Sequence, residues 1–367
     1  MRPTIAVLLI SLLLAACSNG RQGDPAGSIE EDSTRTIGIV DSIGVGMGDS
    51  LYTIGTVDAM AHGPDGEILV LDGIANRIRR YSREGQFLNY IGREGEGPGE
   101  LLRSTGMALL PGGALAVNDI AQSRITLFGQ NGEVLREIGG FIPFPPTRIR
   151  ASNGGIVGTR REFNREENTY GFIVGLWTEL PEPDLLYYSR MAQFNREDIQ
   201  ETVNATNTTF AASSHDGRVY VTPVSTEDYR ILVYAADGTL EREIQRQRPR
   251  VRRPEEEIER ERTEMNRQLR EEGAPPDMVW EPREYEHQIE GLWVGPENRL
   301  WVMDGTAAGP LFHVYSPQGR ELFQARLAAP AAGRDFQWSF QIDAGGFLAT
   351  QSSPLDYPRV YILSLNQ

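Results

Sequence analysis

The chain of 367 residues contains no lysine: all 36 basic side chains are arginine. The base composition of a GC-rich genome accounts for this more simply than selection for guanidinium chemistry. Cysteine occurs once, at Cys17, and histidine four times, at His62, His215, His287 and His313. A lone cysteine near the start excludes an internal disulfide framework and leaves no thiol for nucleophilic work. No two histidines stand at His-x-x-x-His or similar spacing, so a metal site would need ligands from distant segments. No Gly-x-Ser-x-Gly elbow is present. The 51 acidic residues give a net charge of −15, which disfavours nucleic acid, whose binding rests on phosphate neutralisation. No catalytic residue and no resident cofactor are therefore assigned.

The chain opens MRPTIAVLLISLLLAACSNG. Arg2 supplies a positive n-region, Thr4 to Leu14 an apolar run too short to span a bilayer permanently, and Ala15 and Ala16 small residues before a cleavage point. Residues 1–16 are expected to be a signal peptide. Leu14-Ala15-Ala16-Cys17 resembles the lipobox of bacterial lipoproteins. That resemblance implies a lipidated Cys17 at the mature N-terminus, a flexible tether over 17–33 and attachment to the cell envelope. Ser18 resembles the outer-membrane sorting signal of Gram-negative lipoproteins. Several acyl chains anchor stably where one binds only marginally.

Beyond residue 33 the chain repeats itself. The stretch from Val57 and the stretch from Thr105 share one order: an apolar strand, a Gly turn, a second strand (ILVLD or ALAVND), a short loop, a third (RIRRYS or RITLFG), another Gly turn and a fourth (QFLNYIG or EVLREIG). Asp-Gly and Asn-Gly between apolar runs are strong hairpin signals. Four antiparallel strands in about 40 to 45 residues correspond to one propeller blade. Further copies begin at Thr147, near Thr209, at His287 and at Phe336, the last one strand short. TRTIGIVDSIG, residues 34–44, stands ahead of the first copy and is expected to pair with the C-terminal strand, which removes an exposed sheet edge.

Asp65-Gly66, Asp72, Arg77-Ile78, Tyr81, Gly85 and Gly92 to Leu101 together resemble the NHL-type six-bladed β-propellers, including their bacterial lipoprotein versions. The resemblance implies an all-β, six-bladed propeller of four-stranded antiparallel blades over residues 34–367, closed by the N-terminal strand. Some six-bladed relatives are lyases or lactonases that hold a metal in the channel.

The stretch IGREGEGPGEL has the glycine content of a phosphate loop but not its context. A strand follows it, Pro98 has no N–H, and Glu94, Glu96 and Glu100 repel anions. The glycines are expected to turn the chain between blades. Asp72 with Arg77, Asp119 with Arg124, Asp228 with Arg230, and Asp356 with Arg359 recur around the loop between second and third strands. Recurrence suggests turn-holding salt bridges rather than catalysis. Residues 249–286 read as a charged helical insertion: Pro254 and three glutamates start it, Gly273 and Pro275-Pro276 end it, and Ile258, Met265 and Leu269 give a thin apolar stripe. It reads as a solvated excursion, with a partner-docking helix or a lid as the functional alternative.

The long segments 92–104, 140–146, 178–208, 249–286 and 328–335 fall on one face, where binding is expected. Arg148, Arg150, Glu290 and Gln341 lie on inner strands as candidate channel residues. Trp177, Trp280 and Trp338 are candidates to line a sugar or peptide site, while Trp293 and Trp301 suit the core. Single carboxylates such as Glu290 would suit Ca²⁺ if a metal were present. Two readings stand: a monomeric lipid-anchored module binding a protein, peptide or carbohydrate, and a metal-dependent lyase or hydrolase.

Overall fold

The computed structural model describes residues 34–195, 206–271, 273–276, 278–305, 309–328, 337–352 and 357–366. The expected signal peptide 1–16, the expected tether 17–33 with Cys17, Asp356 and all but the first residue of segment 328–335 lie outside the described residues.

The described chain opens with β1 (Thr34–Ile43). The first sheet is β2 (Ala59–His62), β3 (Ile68–Asp72), β4 (Arg77–Tyr81) and β5 (Phe87–Ile91). A small parallel pair, β6 (Arg93–Glu94) and β7 (Glu100–Leu101), leads to the second sheet: β8 (Ser104–Leu109), β9 (Leu115–Asp119), β10 (Arg124–Phe128) and β11 (Val134–Gly139). The third is β12 (Thr147–Ser152), β13 (Gly155–Asn164), β14 (Thr169–Trp177) and β15 (Leu185–Gln193). The fourth is β16 (Thr208–Ala212), β17 (Val219–Pro223), β18 (Tyr229–Tyr234) and β19 (Leu240–Arg246). Helix α1 (Glu255–Glu271) follows. Then come β20 (Gly291–Val294), β21 (Leu300–Asp304), β22 (Leu311–Tyr315), β23 (Glu321–Ala328), β24 (Gln337–Asp343), β25 (Gly346–Ser352) and β26 (Val360–Asn366).

These last seven strands and β1 form one eight-stranded sheet in the order β20-β21-β22-β23-β1-β26-β25-β24. This corrects the expectation of six separate four-stranded blades: four sheets are separate and the fifth has eight strands. The reason is β1. Its residues 36–43 pair antiparallel with β26, from Thr36↔Asn366 to Ile43↔Val360, as the closing strand requires. Its first half, 34–38, also runs parallel to β23 and so covers that strand's open edge.

The inner strands β2, β8, β12, β16, β20 and β24 each touch the next, and β24 returns to β2, so the all-β chain closes into a propeller-like ring. Apolar clusters fill the gaps between successive sheet faces. Leu71 and Ile78 meet Met107 and Val117 in one gap. Trp301 and Phe312 face Phe340 and Leu363 in another, so the eight-stranded sheet folds back on itself. Central strands covered on both faces need continuous apolar runs rather than alternation; every residue of ILVLD in β3 and of LAVND in β9 is buried. At the Asp65-Gly66 turn Gly66 adopts φ 82°, which a β-carbon would oppose.

The expected long loop 178–208 contains β15. Its pattern alternates mostly half-buried and exposed residues, with Tyr187 alone buried, as an outer strand does, and two prolines and no glycine turn precede it. The insertion forms α1 as expected, with Glu255 to Glu257 in its first turn, Gly273 in the left-handed conformation (φ 80°) after its end, and Ile258 as its one buried residue.

Candidate functional site

Both sides of an inner strand pack against neighbouring sheets, as Met60 and Ala61 of β2 do in separate clusters, so exposed residues on these strands mark where that packing opens toward the ring's axis. On β24 the alternation puts Ser339, Gln341 and Asp343 on that side, with Phe340 and Ile342 buried behind them. On β12, Arg148 and Arg150 flank the fully buried Ile149. A bulge between Thr147 and Arg150 interrupts the β12–β13 register, and Arg148 sits in it at φ 51°. Bulges re-aim side chains, and a non-glycine residue at positive φ is strained. Around the ring β12 lies opposite β24, with two inner strands between them in either direction.

The two walls differ in charge. Arg148 donates to the Thr208 carbonyl (3.3 Å) and Arg150 to the Ile149 carbonyl (3.0 Å); neither makes an ion pair among the described residues. Burial, then the charge of Arg161, lowers the pKa of Arg148, although its side chain is exposed. Burial and the charge of Arg148 bring Arg150 down to about 10, against the opposing pull of Asp343. Side chains crowded by protein yet open to water describe a wet channel wall. Opposite, Asp343 accepts from His62 Nδ1 (2.7 Å), the His62 N–H (3.2 Å), Gln341 (3.2 Å) and the Gly345 N–H (2.9 Å). Burial pushes its pKa up, but the His62 hydrogen bond and charge, with Gln341, outweigh this and hold it below the usual carboxylate range. Glu290 lies just before β20 and meets His287 Nδ1 (3.2 Å) and Arg283 (3.4 Å). Burial raises its pKa, and His287, Arg283 and Arg253 together bring it below normal.

Arg150 and Gln341 thus come near one carboxylate, Asp343, whereas Glu290 belongs to a neighbouring group with the insertion's Arg283. Sequence reasoning missed Asp343 and its partner His62. The usable signal was Asp343-Ala-Gly-Gly after an alternating strand, a carboxylate placed to hold a turn N–H. Its reach to His62, in the first sheet, has no local signal. Trp177, Trp293 and Trp301 are core, and Trp177 is thereby removed from the ligand candidates. Among the described residues no three His, Cys, Asp or Glu side chains gather into a metal-binding group.

The turn pairs require correction. Asp72 and Arg77 are cross-strand neighbours, but the Asp72 carboxylate pairs with Arg79 (2.9 Å) and accepts from the N–H groups of Gly55, Thr56 and Ala75. Asp119 likewise accepts from the N–H groups of Leu102, Arg103, Ala121 and Gln122, while Arg124 pairs with Glu137 (3.1 Å). Arg230 pairs with Glu243. Both buried aspartates tie the incoming chain to a loop, because buried N–H groups need acceptors, while Arg124 finds a carboxylate on the next strand. The Gly-rich stretch cradles its own carboxylate: Glu100 accepts from the Gly97 N–H (2.8 Å) and pairs with Arg93 (2.7 Å). A β-carbon on Gly95 would lie 2.1 Å from that carboxylate.

No family model and no curated protein matches this chain. Similar solved structures include a candidate exported protein of Bacteroides fragilis (12% identity, 94% of this chain and 98% of that one, TM-score 0.49). A DUF4221 family member of Bacteroides vulgatus has 9% identity, with 91% and 99% covered and a TM-score of 0.49. Virginiamycin B lyase of Staphylococcus aureus has 12% identity, with 90% and 88% covered and a TM-score of 0.40. These likenesses concern the path of the chain alone.

Proposed function

We propose that this chain is an exported, lipid-anchored, six-bladed propeller of NHL type that binds a small ligand or partner segment at the mouth of its axial channel. The two four-stranded halves of the eight-stranded sheet serve as the fifth and sixth blades. The observation that carries the binding reading is the channel's charge arrangement, with unpaired Arg148 and Arg150 on one wall and Asp343 on the other. Walls of opposite charge around a solvated axis orient a polar ligand. Lipid on Cys17 would hold the ring at the cell envelope, tethered through 17–33, as a monomer.

The test is a small-molecule panel, including sugars and short peptides, screened by thermal shift on the full chain. Genuine channel ligands raise Tm, and Ser339→Trp, which fills the axis from β24, abolishes the shift. Hits that survive Ser339→Trp would place binding elsewhere. Fatty-acid labelling in a bacterial host checks the anchor: Cys17→Ser is expected to lose the label and leave the membrane fraction. The metal-dependent lyase or hydrolase is the alternative, and Ca²⁺ at Glu290 belongs to it. Stoichiometric metal in the purified protein would favour that reading.

A further inference from the structure

The geometry points to an oxyanion site on the channel wall of the third sheet, where Arg148 and Arg150 receive the carboxylate, phosphate or sulfate group of a small ligand. The inference rests on the channel-binding reading and names the chemistry that the channel would select.

Most inward-lying arginines of this protein are matched. Arg79 pairs with Asp72, Arg124 with Glu137, Arg160 with Glu162, Arg248 with Asp304 and Arg253 with Glu261. The chain carries 51 acidic residues against 36 arginines, so partners are not scarce. Yet Arg148 and Arg150 stand side by side with one backbone carbonyl each, and Arg161 adds a third like charge. The Nε of Arg150 is buried without an acceptor. Arg148 holds φ 51° in a bulge, a conformation that side chains resist. Three repelling guanidiniums, one with an orphaned donor and one on strained backbone, are a poor arrangement for an empty wall. An oxyanion would supply the missing acceptor and relieve the repulsion, and guanidinium forks match planar or tetrahedral oxyanions bidentately. Asp343 does not serve as that anion: it acts on Arg150 only through space and is already held by His62, Gln341 and Gly345. The net charge of −15 turns away long polyanions and leaves small ones.

The full chain is titrated with sodium phosphate, sulfate and acetate at constant ionic strength against chloride, read by thermal shift and calorimetry. At least one oxyanion is expected to bind saturably and raise Tm. Arg150→Met, and independently Arg148→Asn, which tolerates the left-handed backbone, should weaken it about 10- to 100-fold. Arg136→Gln, a surface control, should not. Without anion, Arg150→Met should melt no lower than the parent, since it removes a half-buried charge that has no ion-pair partner and a buried Nε without an acceptor; a purely structural arginine would lower Tm. No saturable response, or unchanged affinity in both variants, overturns the inference. If neutral panel ligands are lost in Ser339→Trp but retained in both arginine variants, channel binding stands and the oxyanion site falls. If oxyanions depend on the arginines but not on Ser339→Trp, the site stands and the channel reading falls.

Discussion

His313 lies on β22 between two carboxylates, Glu321 on Nδ1 (2.5 Å) and Asp304 on Nε2 (2.9 Å), with Arg246 crowding the same ring and Arg248 on Asp304 (3.2 Å). Burial lowers its pKa, but hydrogen bonds to Asp304 and Glu321 outweigh this and raise it above 6.5. A raised histidine stabilises the fold fully below its unfolded pKa and loses that contribution as pH rises through the folded value. Urea unfolding should therefore show stability falling above neutrality, and His313→Gln should flatten that slope. The substitution should also cost about 1.5–3 kcal/mol, because Asp304 and Glu321 each lose a charged hydrogen-bond partner but keep Arg248 and Arg246. Asp343 behaves in the opposite sense: its depressed pKa contributes above the ordinary carboxylate range and is lost as pH falls through the folded value. At this scale the sequence showed which residues stand on inner strands, since period and turn spacing place Arg148, Arg150 and Gln341 there. It did not show who pairs with whom. Asp72 reaches Arg79 rather than Arg77, and His62 reaches Asp343 across 281 positions, because only packing brings those groups together.

Among elements, β1 and α1 carry opposite weights. Ile37 on β1 is 1% exposed in the cluster between the halves of the eight-stranded sheet. Ile37→Ala should cost about 2–5 kcal/mol by denaturant unfolding, the usual range for such a truncation in a core. Removing residues 34–43 would uncover β26 and the edge of β23 together, and the shortened chain is expected to aggregate rather than melt cooperatively. Helix α1 buries only Ile258 but also holds Glu261 on Arg253, so replacing residues 255–271 by a flexible linker should cost about 1.5–3 kcal/mol for Ile258 and about 1.5–3 kcal/mol more for the lost charged partner. Its closing role was legible for β1, because a blade one strand short needs an edge partner. The parallel contact with β23 was not, since nothing in TRTIG distinguishes one open edge from another. Strand β15 escaped notice because an outer strand half in solvent lacks the apolar run that marks β3 or β9.

For the whole molecule, the order of strands and the closure of the ring follow from the chain itself. Apolar runs cut by Asp-Gly, Asn-Gly and Gly-Gly turns allow little but consecutive hairpins, and hairpins of this number bury their faces only by stacking. Tertiary structure alone decided that the last two four-stranded groups share one sheet, and that two arginines stand across an axis from one carboxylate. Those outcomes depend on how neighbouring sheets meet and on a single bulge at Arg148, distances between residues far apart in the chain that no local pattern encodes.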